Sequence, residues 1–301
     1  MWPHLFKQQT AFGEVPYNSW GLMITLAFLF AAIVSHRRAA KVGIDPDKMV
    51  GLYLIAIVLG LAGARLLHFL MATPDVFFAD PLIFFKIWQG GFAFYGGFIL
   101  AGIGGVLYGI RRGIDPWKLA DVVGPTVMLG LAFGRIGCFL AGCCHGAAVT
   151  LPADAHPLLP TDFSGGQLWA VDHFPFLVEM TRHGVGHNDI PVYPTQIWES
   201  LAAFAIFGIT SWVWKHRRFD GQVIATVLVL YSIWRPINES MRGDEVRGLG
   251  YLGFLTTSQL ISIPVALLGV AIVLIQFRKG VKPETPFTPE EEGETASAPR
   301  I

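Results

Sequence analysis

Long apolar runs recur along this chain, and each must either be covered by protein or sit in lipid. A helix crosses the hydrocarbon with about 20 apolar residues. Seven stretches reach that scale: 17–35, 49–70, 91–110, 119–140, 196–214, 221–237 and 255–277. With 53% hydrophobic and only 15% charged residues, the 301-residue chain is too apolar for an ordinary soluble domain. The expectation is an all-α, polytopic membrane protein. Glycines and Pro125 interrupt the third and fourth spans, which is tolerable where neighbouring helices cover the backbone. A formal net charge of zero gives no electrostatic footprint for nucleic acid. Three cysteines make no disulfide framework. The first residues, MWPHLFKQQTAFGEVPYNS, are mixed and polar, so no cleavable leader is expected.

Lysine and arginine in the loops set direction. HRRAAK (36–41), the 111–118 loop, KHRR (215–218) and the 278–282 segment follow spans one, three, five and seven. The intervening loops are poor in base. This alternation predicts the N-terminus outside, the C-terminus inside, and an odd number of spans. The segment 141–195, with five histidines and the amphipathic FPFLVEM, is too long for a tight connection. It reads as an extracytoplasmic subdomain between spans four and five, placed to cover a site from outside. Residues 1–280 then form the membrane domain, and the acidic, proline-rich 281–301 a disordered cytoplasmic tail.

Arg65, Arg135 and Arg235 fall inside or at the ends of these spans, where each costs at least a few kcal/mol. Snorkelling or a neutralising ion pair is the plain explanation for one of them. All three lie in the last third of an outward-running span, so they could share one level and hold an anion. Bidentate guanidinium forks suit phosphate, and the natural anion at that depth is a lipid headgroup. In YSIWRPINESMR, Tyr231 and Glu239 flank Arg235 at four-residue spacing and share its face if helix continues past Pro236. In QGGFAFYGGFILAGIGG, Gly102 to Gly105 suit close helix packing. The doublet Gly96–Gly97 beside Tyr95 suggests backbone approach to a ligand. Cys138, Cys143, Cys144 and His145 have poor spacing for zinc. Plain packing is favoured there over a disulfide, and no metal is expected.

These stretches carry a resemblance. GAR (63–65), GGFAFYGG (90–97), GRIGCFLAGCCHG (134–146), YPTQIWES (193–200) and YSIWRPINESMR (231–242), in this order, resemble the prolipoprotein diacylglyceryl transferases of bacterial cytoplasmic membranes. The resemblance covers nearly everything but the tail. It implies transfer of the diacylglyceryl group of phosphatidylglycerol to the lipobox cysteine of a preprolipoprotein signal peptide, with glycerol 1-phosphate leaving and no cofactor. By resemblance Arg135 and Gly146 belong to the signature motif, with Gly134 and Gly137. Arg235, Glu239 and Tyr231 match an essential arginine and its neighbours, and Gln196 and Glu199 match a Gln-x-x-Glu pattern. Arg65, Gly96 and Gly97 join the substrate-binding set. The chain departs from well-known members at Tyr95 (histidine there), Cys138 (asparagine), Cys143 (acidic) and Trp20 (tyrosine).

The residues suit that chemistry independently. Charge builds on a phosphate oxygen as its bond to the glycerol carbon breaks, and arginines in low dielectric stabilise it. The nucleophile belongs to the substrate, so the protein need only help form the thiolate. Glu239, His145 and Tyr95 all remain candidate bases. A divergent paralogue, a non-catalytic phospholipid-binding protein and a transporter are the competing expectations. The odd span count and polar groups gathered at one end weigh against the last.

Overall fold

The computed structural model describes residues 4–10, 13–86, 91–147, 156–157, 168–171, 174–180, 190–242 and 257–279. The expected tail lies outside them, as does much of 141–195. Eight α-helices run through the described residues: α1 (Ser19–Lys41), α2 (Pro46–Ala72), α3 (Pro74–Ala79), α4 (Phe94–Arg111), α5 (Pro116–Ala141), α6 (Thr195–His216), α7 (Gln222–Ser240) and α8 (Thr257–Lys279). A 3-10 helix, Pro81–Phe85, follows α3. All seven expected spans coincide with long helices, and six of these are apolar and long enough to cross a membrane. The remaining one, α7, has 19 residues and carries Arg235, Asn238 and Glu239 towards its end. The membrane part is therefore all-α. Six short strands lie outside it. β1 (His4–Thr10) and β2 (Gly13–Asn18) form an antiparallel hairpin in the N-terminal stretch. β3 (His156–Pro157), β4 (Leu168–Val171), β5 (Phe174–Met180) and β6 (Ile190–Val192) form an antiparallel sheet in that order. FPFLVEM is β5, and pairs Val178 with Leu168 and Val192.

The burial pattern inverts that of a soluble protein. Leu54 and Val58 of α2 are about 60% exposed, while the fully buried side chains include Arg65, Gln196, Glu199, Asn238 and Asp121. Apolar surfaces facing outward need lipid, and the interior is left to polar groups that pair with one another.

The chain forms two compact units, 34–122 and 1–33 with 123–301. Within the first, one turn is used twice, in VGIDP (42–46) and RGIDP (112–116). Gly43 and Gly113 take left-handed backbone (φ 72° and 69°). Ile44 N then donates to Ala39 O, and Ile114 N to Gly109 O. Both isoleucines are buried. Asp45 and Asp115 each accept from the backbone two residues on, and a proline opens the next helix. Each turn thus combines a glycine stop, an acidic cap and a proline start.

Between these turns α2 and α4 pack closely, and the glycine doublet lies in their contact. A Cβ on Gly96 would collide with Gly63 O and Leu67 Cβ, and one on Gly63 with Gly96 O. A Cβ on Gly97 would stand 2.5 Å from Gly60 O. Ala93 N donates to Ala64 O at 2.9 Å. The doublet therefore clears room for a neighbouring helix. Gly102, expected to be a packing glycine, has open space around it. Gly97→Leu should lower stability by about 1–3 kcal/mol through overpacking. Gly102→Ala should stay within about 0.5 kcal/mol of wild type. Thermal unfolding in detergent checks the pair, and equal effects would remove the α2–α4 explanation.

Candidate active site

A carboxylate with no exposed surface lies at the centre of α5, α6 and α7. Glu199, in the second turn of α6, is fully buried. Arg135 of α5 approaches its Oε2 through Nε at 2.9 Å. Arg235 of α7 donates from Nη1 to Oε1 at 3.2 Å and to Oε2 at 3.4 Å. Tyr231 donates its hydroxyl to Oε1 at 3.0 Å, and Asn238 its Nδ2 to Oε2 at 3.0 Å. The other fork of Arg235 donates to Glu239. Helix does continue past Pro236, so Tyr231, Arg235, Asn238 and Glu239 share one face of α7. Two guanidiniums and two carboxylates balance in charge, which is how ionised groups survive at this depth.

The two arginines are not equivalent. Arg235 lies between two carboxylates with its side chain 9% exposed. Arg135 has 17% of its side chain exposed. Among the described residues, its polar contact is the one through Nε, which leaves both terminal nitrogens for another acceptor. Glu239 has its contact through Oε2 to Arg235, so Oε1 is uncommitted among the described residues.

The rest of GRIGCFLAGCCHG positions Arg135. Gly137 faces α1: a Cβ there would stand 3.1 Å from Met23 Cβ and from Trp20 Cδ1. A Cβ on Gly134 would lie 3.7 Å from Ile24 Cδ1. These glycines admit α1, with Phe30 stacked on Phe133 at 5.2 Å. Gly146 is confined more tightly. A Cβ there would be 2.7 Å from Met241 O and Tyr193 Cβ, and 2.9 Å from Thr195 Cγ2. Gly146 N donates to Tyr193 O, and Ala147 N to Met241 O, so this glycine joins the ends of α6 and α7. What stands against Gly134, Gly137 and Gly146 among the described residues is thus neighbouring chain. Gln196 Nε2 donates to Cys143 O at 2.8 Å and Thr195 Oγ1 to Cys144 O at 3.2 Å, fixing the end of the motif to α6. His145 Nδ1 lies 3.0 Å from Gly146 O.

Arg65 belongs to the other unit and is 2% exposed. It holds carbonyls of Ile83 at 2.6 Å, Lys86 at 3.1 Å, Phe84 at 3.3 Å and Gly91 at 3.4 Å. Its guanidinium also lies over Phe69 and Phe92. This wraps the 3-10 helix and the Gly91 turn around α2. His68, one turn further on, fills the space beside Gly91, whose φ is 80°. Tyr95 is 54% exposed at the start of α4.

Comparison with known proteins decides the family. A sequence model of the prolipoprotein diacylglyceryl transferases matches residues 8–275. The chain belongs to the prolipoprotein diacylglyceryl transferase family. It is 31% identical over 280 residues to a phosphatidylglycerol–prolipoprotein diacylglyceryl transferase of Clostridium tetani, covering 93% of this chain and 100% of the relative. It is 30% identical over 264 residues to phosphatidylglycerol–prolipoprotein diacylglyceryl transferase 2 of Clostridium perfringens, covering 88% of this chain and 93% of the relative. A Bacillus cereus relative is 29% identical over 278 residues, covering 92% and 94%.

Two features of this transferase-family site were missed in the sequence. Asn238 was passed over, although an amide three residues after Arg235 in an apolar helix is a signal of its own. The central place of Glu199 had no local signal, because its four donors come from other helices. Glu199→Gln leaves two buried guanidiniums short of a counter-charge and should cost about 3–5 kcal/mol. Thermal unfolding should show this as a large drop in Tm. A glutamine variant as stable as wild type would mean the carboxylate is not the anchor.

Proposed function

We propose that this chain transfers the diacylglyceryl group of phosphatidylglycerol to the lipobox cysteine of preprolipoproteins. It is a transferase and a multi-pass protein of the bacterial cytoplasmic membrane. The observation carrying the residue roles is Arg135, whose terminal fork is uncommitted among the described residues while its Nε is locked to the buried Glu199.

That fork takes two non-bridging oxygens of the lipid phosphate, with Arg235 adding positive potential from behind. The substrate thiol gives its proton to Oε1 of Glu239, and the thiolate attacks the glycerol CH2 that bears the phosphate. A carbon–sulfur bond forms and the carbon–oxygen bond breaks. Its electron pair leaves on oxygen as glycerol 1-phosphate, which collects the proton from Glu239. Negative charge grows on the phosphate as the bond breaks, so arginines preorganised in low dielectric hold the transition state more strongly than the ground state. Gln196 and Gly146 hold the motif in place, and Arg65 fixes the turn before Tyr95. Glu239 is preferred over His145 and Tyr95 as base because its Oε1 is uncommitted among the described residues, on the carboxylate that Arg235 holds. The seven-span, N-out arrangement inferred from loop charge puts these groups near the outer leaflet, where both substrates arrive sideways from the bilayer.

Purified protein should move labelled diacylglycerol from phosphatidylglycerol onto a lipobox peptide and release glycerol 1-phosphate. Arg135→Ala should leave only a small residual rate of transfer, and Arg135→Lys should restore little of the loss, because a point charge is not a fork. Near-normal turnover in both variants would refute the phosphate role. A protein with Cys138, Cys143 and Cys144 all changed to serine should keep most of its activity, since the nucleophile comes with the substrate. Loss of activity in that correctly folded variant would show that a thiol takes part.

A further inference from the structure

Three thiols that the proposed chemistry does not use meet at the end of α5. The Sγ atoms of Cys138, Cys143 and Cys144 all lie within 4.8 Å of one another. The backbone explains why. Gly142 takes left-handed backbone (φ 71°), Cys143 N donates to Cys138 O at 3.0 Å, and Gly142 N to Phe139 O at 3.1 Å. This helix closure sets the residue after the glycine against the residue five before it. Cys144 has φ 62°, and no other non-glycine among the described residues has positive φ. Such a conformation costs about 1–3 kcal/mol and persists where its surroundings hold it. Here Gln196 and Thr195 grip the carbonyls of Cys143 and Cys144 from α6.

The cluster has the chemistry of a ligand set. No carboxylate or imidazole joins it among the described residues, so all its donors are soft sulfurs. Cys143 is exposed, which gives an entry path and is unlike core packing. Metal–sulfur bonds of about 2.3 Å put the sulfurs of a planar three-thiolate site about 4 Å apart, so small side-chain rotations close the site.

We propose that Cys138, Cys143 and Cys144 form a three-thiolate site for a soft, closed-shell cation of the copper(I), zinc(II) or cadmium(II) type. Each thiol gives its proton to solvent as it ligates, and no electron changes hands. The cation stands outside the transfer chemistry and binds whether or not lipid is transferred.

Cadmium(II) titrated into the reduced, full-length protein in detergent tests this directly. The sulfur-to-cadmium absorption band should saturate at one cation per chain, with magnesium and calcium failing to compete. Cys138→Ser, Cys143→Ser and Cys144→Ser should each weaken binding by more than the roughly 10–100-fold that follows loss of a group behind a metal ligand. A second measurement does not depend on any variant folding. Equimolar cadmium should protect all three cysteines of the wild type from alkylation, read by intact mass. Absence of the band with all thiols reduced, or protection of two thiols or fewer, would overturn the site. So would wild-type affinity in any single serine variant.

Discussion

Glu199 carries a charge where no water reaches it, and the surrounding helices are arranged to satisfy it. An ion of that size loses several kcal/mol of hydration on burial, and a single partner would not restore it. Four donors do so: one nitrogen of Arg135, one of Arg235, the Tyr231 hydroxyl and the Asn238 amide. They come from α5 and α7, while the carboxylate stands on α6. The interaction that neutralises the charge is therefore also the one that fixes three helix ends in register. Arg135 is oriented by this arrangement through its Nε alone among the described residues, and that is what supports the phosphate role proposed for it.

The glycines serve the same positioning. Gly137 and Gly134 let α1 close on α5 beside Arg135, and Gly146 lets the motif's end pass between Tyr193 and Met241. In the other unit, Gly63, Gly96 and Gly97 draw α4 onto α2, and Arg65 ties the intervening turn. Without a hydrophobic force between helices in lipid, close contact and polar pairing hold the fold together. The polar interior and the small residues are two parts of one solution.

Much of this was legible in the sequence. The long apolar runs located the helices to within a few residues, and the four-residue spacing of Tyr231, Arg235 and Glu239 placed them on one face. What spacing could not give was which helices touch. Glu199 is 36 residues from Arg235, and only tertiary packing brings them together. Gly96 and Gly97 read as glycines that let backbone approach a ligand, and their packing against α2 is not legible from the chain alone. Cys138, Cys143, Cys144 and His145 have poor spacing for zinc. The glycine just before Cys143 was the overlooked signal, because a helix closing there stacks the two cysteines. The repeated GIDP turn was likewise present in the chain as two identical glycine–cap–proline stops.

The central claim is that Glu199 acts on the lipid phosphate through Arg135. A double-mutant cycle of Glu199→Gln and Arg135→Ala, read as kcat/KM for lipid transfer to a lipobox peptide, tests it most directly. Assayed well below the Tm of each variant, the two losses should be strongly non-additive, with a coupling of about 1–3 kcal/mol. The double variant should be little worse than Arg135→Ala alone. Losses that simply add would mean that the buried carboxylate and the guanidinium act separately, and the account would fail at its centre.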